Sequence, residues 1–445
     1  MVFDIFQYME KSNTIFVQIA SYRDPRLVTT VTDCIQKAKH PENLHFCIAW
    51  QHSDDELDVL DKLNAIPNCK VLDIKYNESK GACWARNLIQ QQYAGETYTL
   101  QLDSHHIFAD GWDELCIDML NQLKEKGIKK PLLTAYLPSF DPEYPTLTCN
   151  VPWKMDFDRF IPEGAIFFRP SSIDNWRTLT EPVPSRFYSA HFCFTDGVFC
   201  KEVQHDPNYY FHGEEISIAV RAYTHGYDLF HPHKLVAWHE YTRVGRTKHW
   251  DDHNSNNKND IADNVDWVSR NLSSHARNRV LFSMDGEKYE SIDWGIYGFG
   301  TERTLLDYEK YAGIVFETRG VLQEVIHRKY PDEKRNAHHT KESLILECMQ
   351  QFKHCIDLHK SCLEFPVQEY SFIAVILEDA DGRQIDRRDY SGNDLMSIFN
   401  TINSTGFINI WRDIILPDSR LPKKWVVWPH HKTLGWSKRI VGSIG

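Results

Sequence analysis

The chain has 445 residues, 42% of them hydrophobic and 25% charged, with a formal net charge of −12. That length predicts about two to three domains and a core that stands without disulfides or structural metals, and the composition excludes a disordered polymer. The acidic excess argues against nucleic-acid or anionic-membrane partners, but it leaves room for a local basic pocket around one anionic ligand.

Two counts stand out, 22 His and 13% aromatics. The 11 cysteines are odd in number and unframed. Cys34, Cys47, Cys83, Cys116, Cys193 and Cys200 lie in apolar runs, so buried thiols are expected rather than disulfides. The N-terminal MVFDIFQYMEKSN lacks the basic and long apolar regions of an export signal. No run approaches the ~20 apolar residues of a membrane helix. A cytoplasmic protein is expected.

Residues 15–20 (IFVQIA) predict a strand, followed by the turn-like SYRDP. Pro25 is expected at the first position of a helix that carries Leu27, Val28, Val31 and Ile35 on one face. Further strands are expected at 44–50, 69–75, 98–103 and 131–136, with helices around 53–64, from Gly81, and at 111–126. This alternation predicts an α/β domain with a mostly parallel sheet and ligands at the C-terminal strand ends. Residues 138–190, rich in Pro and aromatics, read as an irregular excursion. A helix is expected near 213–225, then a strand-like LFHPHKLVAWH, then a mobile polar loop over 243–263. After a polar linker, Leu344, Ile345, Cys348, Met349, Phe352 and Ile356 predict one helix face, and 370–389 a hairpin turning at Asp381-Gly382. The expected domains are 1–330, a linker and helix at 331–364, and a small α+β or β-rich accessory domain at 365–445. In the last of these, Trp411, Trp425, Trp428 and Trp436 read as core, with a carbohydrate- or peptide-facing surface as the alternative.

The chemistry concentrates in LQLDSHH at 100–106. An apolar strand ends in Asp103, and His105 lies two residues on, so a carboxylate and an imidazole can converge on one ion. That donor pair suits Mn²⁺, with Mg²⁺ or Zn²⁺ as alternatives. The plain alternative is a capping Asp103 and a solvated His105. Gly213-Glu214-Glu215 opens a helix, and the following strand ends at His239. Either these are dipole-favouring acids and a satisfied His, or His239 is a third ligand and a Glu orients a sugar or acceptor hydroxyl.

SYRDP at 21–25, GACWARN at 81–87, LQLDSHHIFADGWD at 100–113, the HGEE helix with WHEY, and YGFGTERTLLDYEKYAGIVF at 297–316 together resemble the GlcNAc-transferase family. Its known activity is on hydroxyproline of a cytoplasmic ubiquitin-ligase subunit. The resemblance covers roughly residues 13–330, and the chain is more distantly similar to the polypeptide N-acetylgalactosaminyltransferases. It implies a GT-A fold with a Rossmann-like nucleotide-sugar-binding sheet, a UDP-sugar donor (UDP-GlcNAc expected), Mn²⁺, and retention at the anomeric carbon. It also implies that Asp103, His105 and His239 hold the metal. Ser21, Tyr22, Arg23 and Asp24 form the uridine loop, Gly81 and Arg86 face the nucleotide, and Arg243, Arg246 and Lys248 supply the diphosphate clamp. Retention implies front-face attack, with the β-phosphate taking the acceptor proton, so no side-chain nucleophile is required. Glu214, Glu215 and Asp196 are candidates for positioning hydroxyls. Trp112 and Trp153 are candidates for stacking, with packing as the alternative. The acceptor is expected to be a protein or a glycan. Two other classes are a metal-dependent phosphoester hydrolase, which would favour a second metal and more carboxylates, and a sugar-binding module without catalysis.

Overall fold

The computed structural model describes residues 13–56, 58–144, 148–242, 245–417 and 421–444. The chain divides into two compact units, Met1–Glu317 with Glu324–His338, and Thr318–Gln323 with His339–Gly445.

The first unit begins with β1 (Ile15–Tyr22), α1 (Leu27–Lys37), β2 (Leu44–His52), α2 (Asp58–Asn64), β3 (Cys69–Lys75), α3 (Ala82–Gln90) and β4 (Tyr98–Leu102). It continues with β5 (His106–Phe108), α4 (Trp112–Glu125), β6 (Pro131–Thr134), β7 (Trp153–Phe160), β8 (Ile166–Ser172), β9 (Val183–Pro184) and β10 (Phe192–Asp196). There follow α5 (Phe199–Glu202), α6 (Glu214–Thr224), β11 (Asp228–His231), β12 (Ala237–His239), α7 (His249–Asp252) and α8 (Trp267–Leu281).

The main sheet runs β3-β2-β1-β4-β10-β6-β11-β9. Strands β1 to β4 are mutually parallel, as βαβ crossovers require, whereas β10 lies antiparallel between β4 and β6. β4 is buried along its whole length, and its leucines join Val17, Ile19, Val31 and Trp112 in one core. Its other face carries Thr99 and Gln101, buried as a sheet covered on both faces requires and donating to Phe16 O and Ala190 O. The α/β class expected from the sequence is the one observed.

Several local expectations shift. β1 extends through Ser21 and Tyr22, which pair with Trp50 and Gln51. Pro25 sits in a turn, because the Asp24 side chain accepts from the Arg26 amide (2.9 Å) and α1 starts only at Leu27. The excursion at 138–190 contains the β7–β8 antiparallel hairpin. LFHPHKLVAWH splits into β11 and β12, and β12 leaves the main sheet to pair with β5, setting His239 opposite His106. Trp112 is buried, packs on Phe108 and donates its indole N–H to Cys34 O at 2.9 Å, so it belongs to the core. All six cysteines expected inside are buried free thiols. Among the described residues, no helix is long and apolar enough to cross a membrane.

In the second unit, a helix at Lys341–Glu347 gives way to an eleven-residue strand, Met349–His359, paired antiparallel with Phe407–Pro417. Met349, Phe352 and Ile356 therefore lie on a strand rather than a helix face. Tyr370–Glu378 and Gln384–Ser391 form the expected hairpin, and Lys424–His431 joins it. Ile356, Ile373, Val375, Ile410 and Val427 make the core. Two of the tryptophans expected inside are on the surface, Trp411 at 56% and Trp436 at 41% exposure. Trp436 stacks on Trp428 (4.1 Å), with Arg387 and Arg439 over their rings.

Candidate active site

Three elements place the site. β4 delivers Asp103 at its C-terminal end, and α1 pins the turn that follows. The buried Thr30 hydroxyl donates to Ser104 O (2.9 Å) and accepts from the His106 amide (2.9 Å). β12 then lays His239 against this turn, where the Glu240 amide donates to His105 O (3.1 Å).

Asp103, His105 and His239 meet there, their candidate ligand atoms within 4.8 Å of one another. His239 Nε2 is 3.5 Å from Asp103 Oδ2, and His105 Nε2 is 3.8 Å from the same oxygen. The far nitrogen of His105, Nδ1, lies 2.7 Å from Asp24 Oδ2. An ionised carboxylate only accepts, so Nδ1 carries the hydrogen and Nε2 presents its lone pair towards Asp103. A carboxylate–imidazole–ion chain of this kind is how metal-binding histidines are oriented. Burial alone would raise the Asp24 carboxyl, but hydrogen bonds from His105, the Arg26 amide and Ser104 bring it below the usual carboxylate range.

His239 is buried, which pushes its pKa well below that of free imidazole and leaves the neutral ring a metal needs. Neither of its nitrogens has a hydrogen-bond partner among the described residues. Buried polar atoms are rarely left so, and a divalent ion would satisfy Nε2. The three donors therefore fit an ion such as Mn²⁺ better than Mg²⁺, which favours oxygen-rich sites. Replacing Asp24 with Asn should weaken Mn²⁺ binding about 10–100-fold, the usual cost of losing an outer-shell partner. Calorimetric titration of Mn²⁺ checks this, and an unchanged affinity would remove Asp24 from the metal's support.

Arg86 lies behind Asp103. Its Nη2 donates to Asp103 Oδ1 (2.8 Å) and its Nη1 to Glu214, whose other oxygen accepts from the Cys83 thiol. Burial opposes the charged guanidinium, but Glu214 and Asp103 hold it above its ordinary range. Burial likewise opposes an ionised Asp103, yet the Arg86 guanidinium bonded to it holds that carboxyl well below the usual range.

Glu215 faces the same cleft, accepting from the Ala190 amide (3.0 Å) and from Tyr136 Oη (3.3 Å). Burial raises its pKa to about 8. A folded pKa above the unfolded one gives stability that is full below about 4.5 and lost as pH rises through about 8. Glu215→Gln should therefore melt above the wild type by a margin that grows from pH 6 to pH 8. The slope difference is up to about 1.4 kcal/mol per pH unit. Parallel melting curves across that range would contradict this.

These residues line one cleft of about 1070 Å³, with Gly81, Trp153, His191, Tyr210, Tyr241 and the segment 246–250 around them. A side chain at Gly81 would meet the Tyr210 ring at 2.7 Å, and its φ of +107° also favours glycine. Of the residues expected at the nucleotide, Tyr22, Asp24, Gly81, Arg86, Arg246 and Lys248 line the cleft, whereas Ser21 and Arg23 do not. Arg86 is engaged by two carboxylates rather than left open for a phosphate. Arg246 Nη1 reaches Asp24 Oδ2 at 3.2 Å. Arg243 lies outside the described residues.

Asp196 is not brought to the site. It is paired with Tyr98, at the opposite end of β4 from Asp103, and bonded to Lys124 Nζ at 2.5 Å. The sequence reading missed Tyr136, His191, Tyr241 and His249. His191 stacks on His239 at 4.4 Å and Tyr241 packs against its edge at 4.3 Å. The one signal for them was the density of His and aromatics, which does not separate a cleft wall from a core.

A family model described as Glycosyltransferase (GlcNAc) matches residues 14–65 and 58–318. The chain belongs to that family. Its sheet has a parallel βαβ half ending in the Asp-Ser-His turn and a mixed half beyond it.

Among solved structures, the chain is similar to GalNAc-T7 with UDP, GalNAc and Mn²⁺, at 16% identity and a TM-score of 0.40 over 54% of this chain. The match spans only 45% of that protein's chain. It is also similar to residues 1–349 of S. aureus TarS in complex with UDP-GlcNAc, at 13% identity and a TM-score of 0.35, over 60% of this chain and 73% of that one. A third is the mannosyltransferase PcManGT from Pyrobaculum calidifontis with GDP-Man and Mn²⁺, at 11% identity and a TM-score of 0.35, over 60% and 70% of the two chains. No curated protein matches the chain.

Proposed function

We propose that the protein is a cytoplasmic, metal-dependent, retaining glycosyltransferase that moves GlcNAc from UDP-GlcNAc to a hydroxyl of a protein or glycan acceptor. One observation carries the metal dependence: Asp103, His105 and His239 converge at the strand end, with His105 oriented by Asp24 and both His239 nitrogens unsatisfied among the described residues. Mn²⁺ bound there would supply Lewis-acid stabilisation to the departing diphosphate. The buried free thiols suit a reducing compartment.

The charge balance of the cleft supports the same reading. Its lining carries five acidic and four basic side chains. A diphosphate needs more positive charge than Arg246 and Lys248 provide beside those carboxylates.

Retention by front-face displacement is supported by how the lining carboxylates are already engaged. Asp24 and Asp103 hold imidazoles and guanidinium groups, Glu214 holds Arg86, and Asp158 pairs with Arg159. Glu215 is neutral over much of the range below its pKa of about 8. None of these is left as a nucleophile. In this reading the bond from the anomeric carbon to the phosphate oxygen breaks, the acceptor oxygen bonds to that carbon on the same face, and the acceptor proton passes to the leaving β-phosphate. Glu215 and Tyr136 would orient sugar hydroxyls.

A hydrolase with two metals finds less support. Cys83, His205 and Glu214 form a second ligand-like group. However, Glu214 is bound to Arg86, and His205 Nε2 is bound to Gln101 at 2.6 Å.

The test is UDP release from a panel of UDP-sugars with Mn²⁺, with and without chelator. Chelator-sensitive release highest with UDP-GlcNAc supports the proposal. Release indifferent to the chelator, or none from any donor, would overturn it.

A further inference from the structure

The segment from Gly245 to Asp263 leaves the cleft and is fastened outside it. Arg246, Lys248, His249 and Trp250 line the cleft, and α7 then turns Asp252 towards the end of β1. Asp252 accepts from Tyr22 Oη at 2.7 Å and from Arg23 Nη1 at 3.0 and 3.1 Å. Further along, His253 Nε2 lies 2.8 Å from Tyr76 O, and the Ala262 amide donates to Asn77 O at 3.0 Å. The Asp252 and Arg23 side chains are only 17% and 21% exposed, so solvent screens their pair less than it would a surface salt bridge. Arg23 is also held at φ +45°, an uncommon backbone state for a residue with a side chain. Strain of this kind persists where neighbouring contacts over-determine it.

We propose that Asp252 is a positioning residue: through Tyr22 and Arg23 it latches the basic loop to the β1 turn and so sets donor affinity and keeps water from the anomeric carbon. This rests on the transferase reading. The turn it grips also carries Asp24, the residue that orients His105 and receives Arg246. The latch therefore couples the loop's basic side chains to the metal's outer shell. Apparent donor affinity scales with the fraction of molecules whose loop is closed, so weakening the latch lowers affinity without removing any contact to the donor.

The chain is tested with Asp252→Ala and the near-isosteric Asp252→Asn, the latter deciding if the former fails to fold. The first readout is trypsin cleavage after Arg246, Lys248 and Lys258 in ligand-free protein, expected to speed up roughly tenfold at an unchanged melting temperature. The second is UDP affinity with Mn²⁺, expected to fall about ten- to a hundredfold, as for loss of a charged hydrogen-bond pair. Donor KM should rise more than kcat falls. Donor hydrolysis should gain on transfer; in hydrolysis, water oxygen bonds to the anomeric carbon and its proton leaves on UDP. The exchange Arg23→Asp with Asp252→Arg should restore slow cleavage after Arg246, Lys248 and Lys258, with cuts at the substituted position 252 mapped separately. Unchanged cleavage and unchanged UDP affinity in both variants would overturn the latch while leaving the transferase reading intact if the wild type still transfers sugar. If the wild type turns over no UDP-sugar, the transferase reading fails, and the proteolysis result alone decides the latch.

Discussion

Asp103→Ala is expected to cut sugar transfer by about 10³-fold or more and to abolish the rise in melting temperature that UDP with Mn²⁺ gives the wild type. Asp103 is the shared element of the site. Its Oδ2 faces both imidazoles, and its Oδ1 is fixed by Arg86. Removing it takes away the one anionic ligand among the three and leaves His105 and His239 with no carboxylate between them. Electrostatic contributions of several kcal/mol to a transition state correspond to rate losses of this size. A variant that keeps both the activity and the UDP–Mn²⁺ shift would show that the metal does not sit at this strand end.

Arg86→Ala is expected to have the largest effect on stability, roughly 3–5 kcal/mol, because it leaves Glu214 as a buried unpaired charge. Arg86→Lys should fall between this variant and the wild type, since an ammonium cannot reach Asp103 and Glu214 with a planar fork. The double variant Arg86→Ala with Glu214→Gln should recover part of the loss, which a double-mutant cycle measures by thermal melting. A single Arg86→Ala variant melting within about 1 °C of the wild type would show that Glu214 is neutral or otherwise satisfied.

Much of the first unit was legible because its signals are local. The run YTLQL ending in Asp103, and the apolar runs beginning at Ile15 and Leu44, each became a buried strand of the main sheet. The proposed metal triad was legible from unlike signals: Asp103 and His105 are neighbours in sequence, whereas His239, named from a strand end and from the family resemblance, reaches them through the pairing of β12 with β5, which no local pattern encodes. Asp196 was misplaced by the same blindness. It ends an apolar strand as Asp103 does, but β10 is antiparallel to β4, so its carboxyl end emerges beside the start of β4, at the opposite end of the strands from Asp103. In the second unit, Ile345, Cys348, Met349, Phe352 and Ile356 satisfy helical spacing, yet Phe352, His354, Ile356 and Leu358 also alternate. Pairing with Phe407–Pro417 decided for the strand. Arg86 was expected, by resemblance, to face the nucleotide; its carboxylate partners were not legible, because the acids it binds lie at the end of β4 and on α6.

The pairing of β5 with β12 is only three residues long, Phe108 with Ala237, Ile107 with Trp238 and His106 with His239. An ion bound across it would join two stretches that come from distant parts of the chain, and its binding free energy would also offset the entropy of closing the long loop between them. A nascent chain that has not yet docked residues 237–239 has no complete ion-binding triad. Under the proposed metal reading, loading of the ion would therefore be a late event in folding, and the ion would act as a clasp that reports the assembly of both stretches.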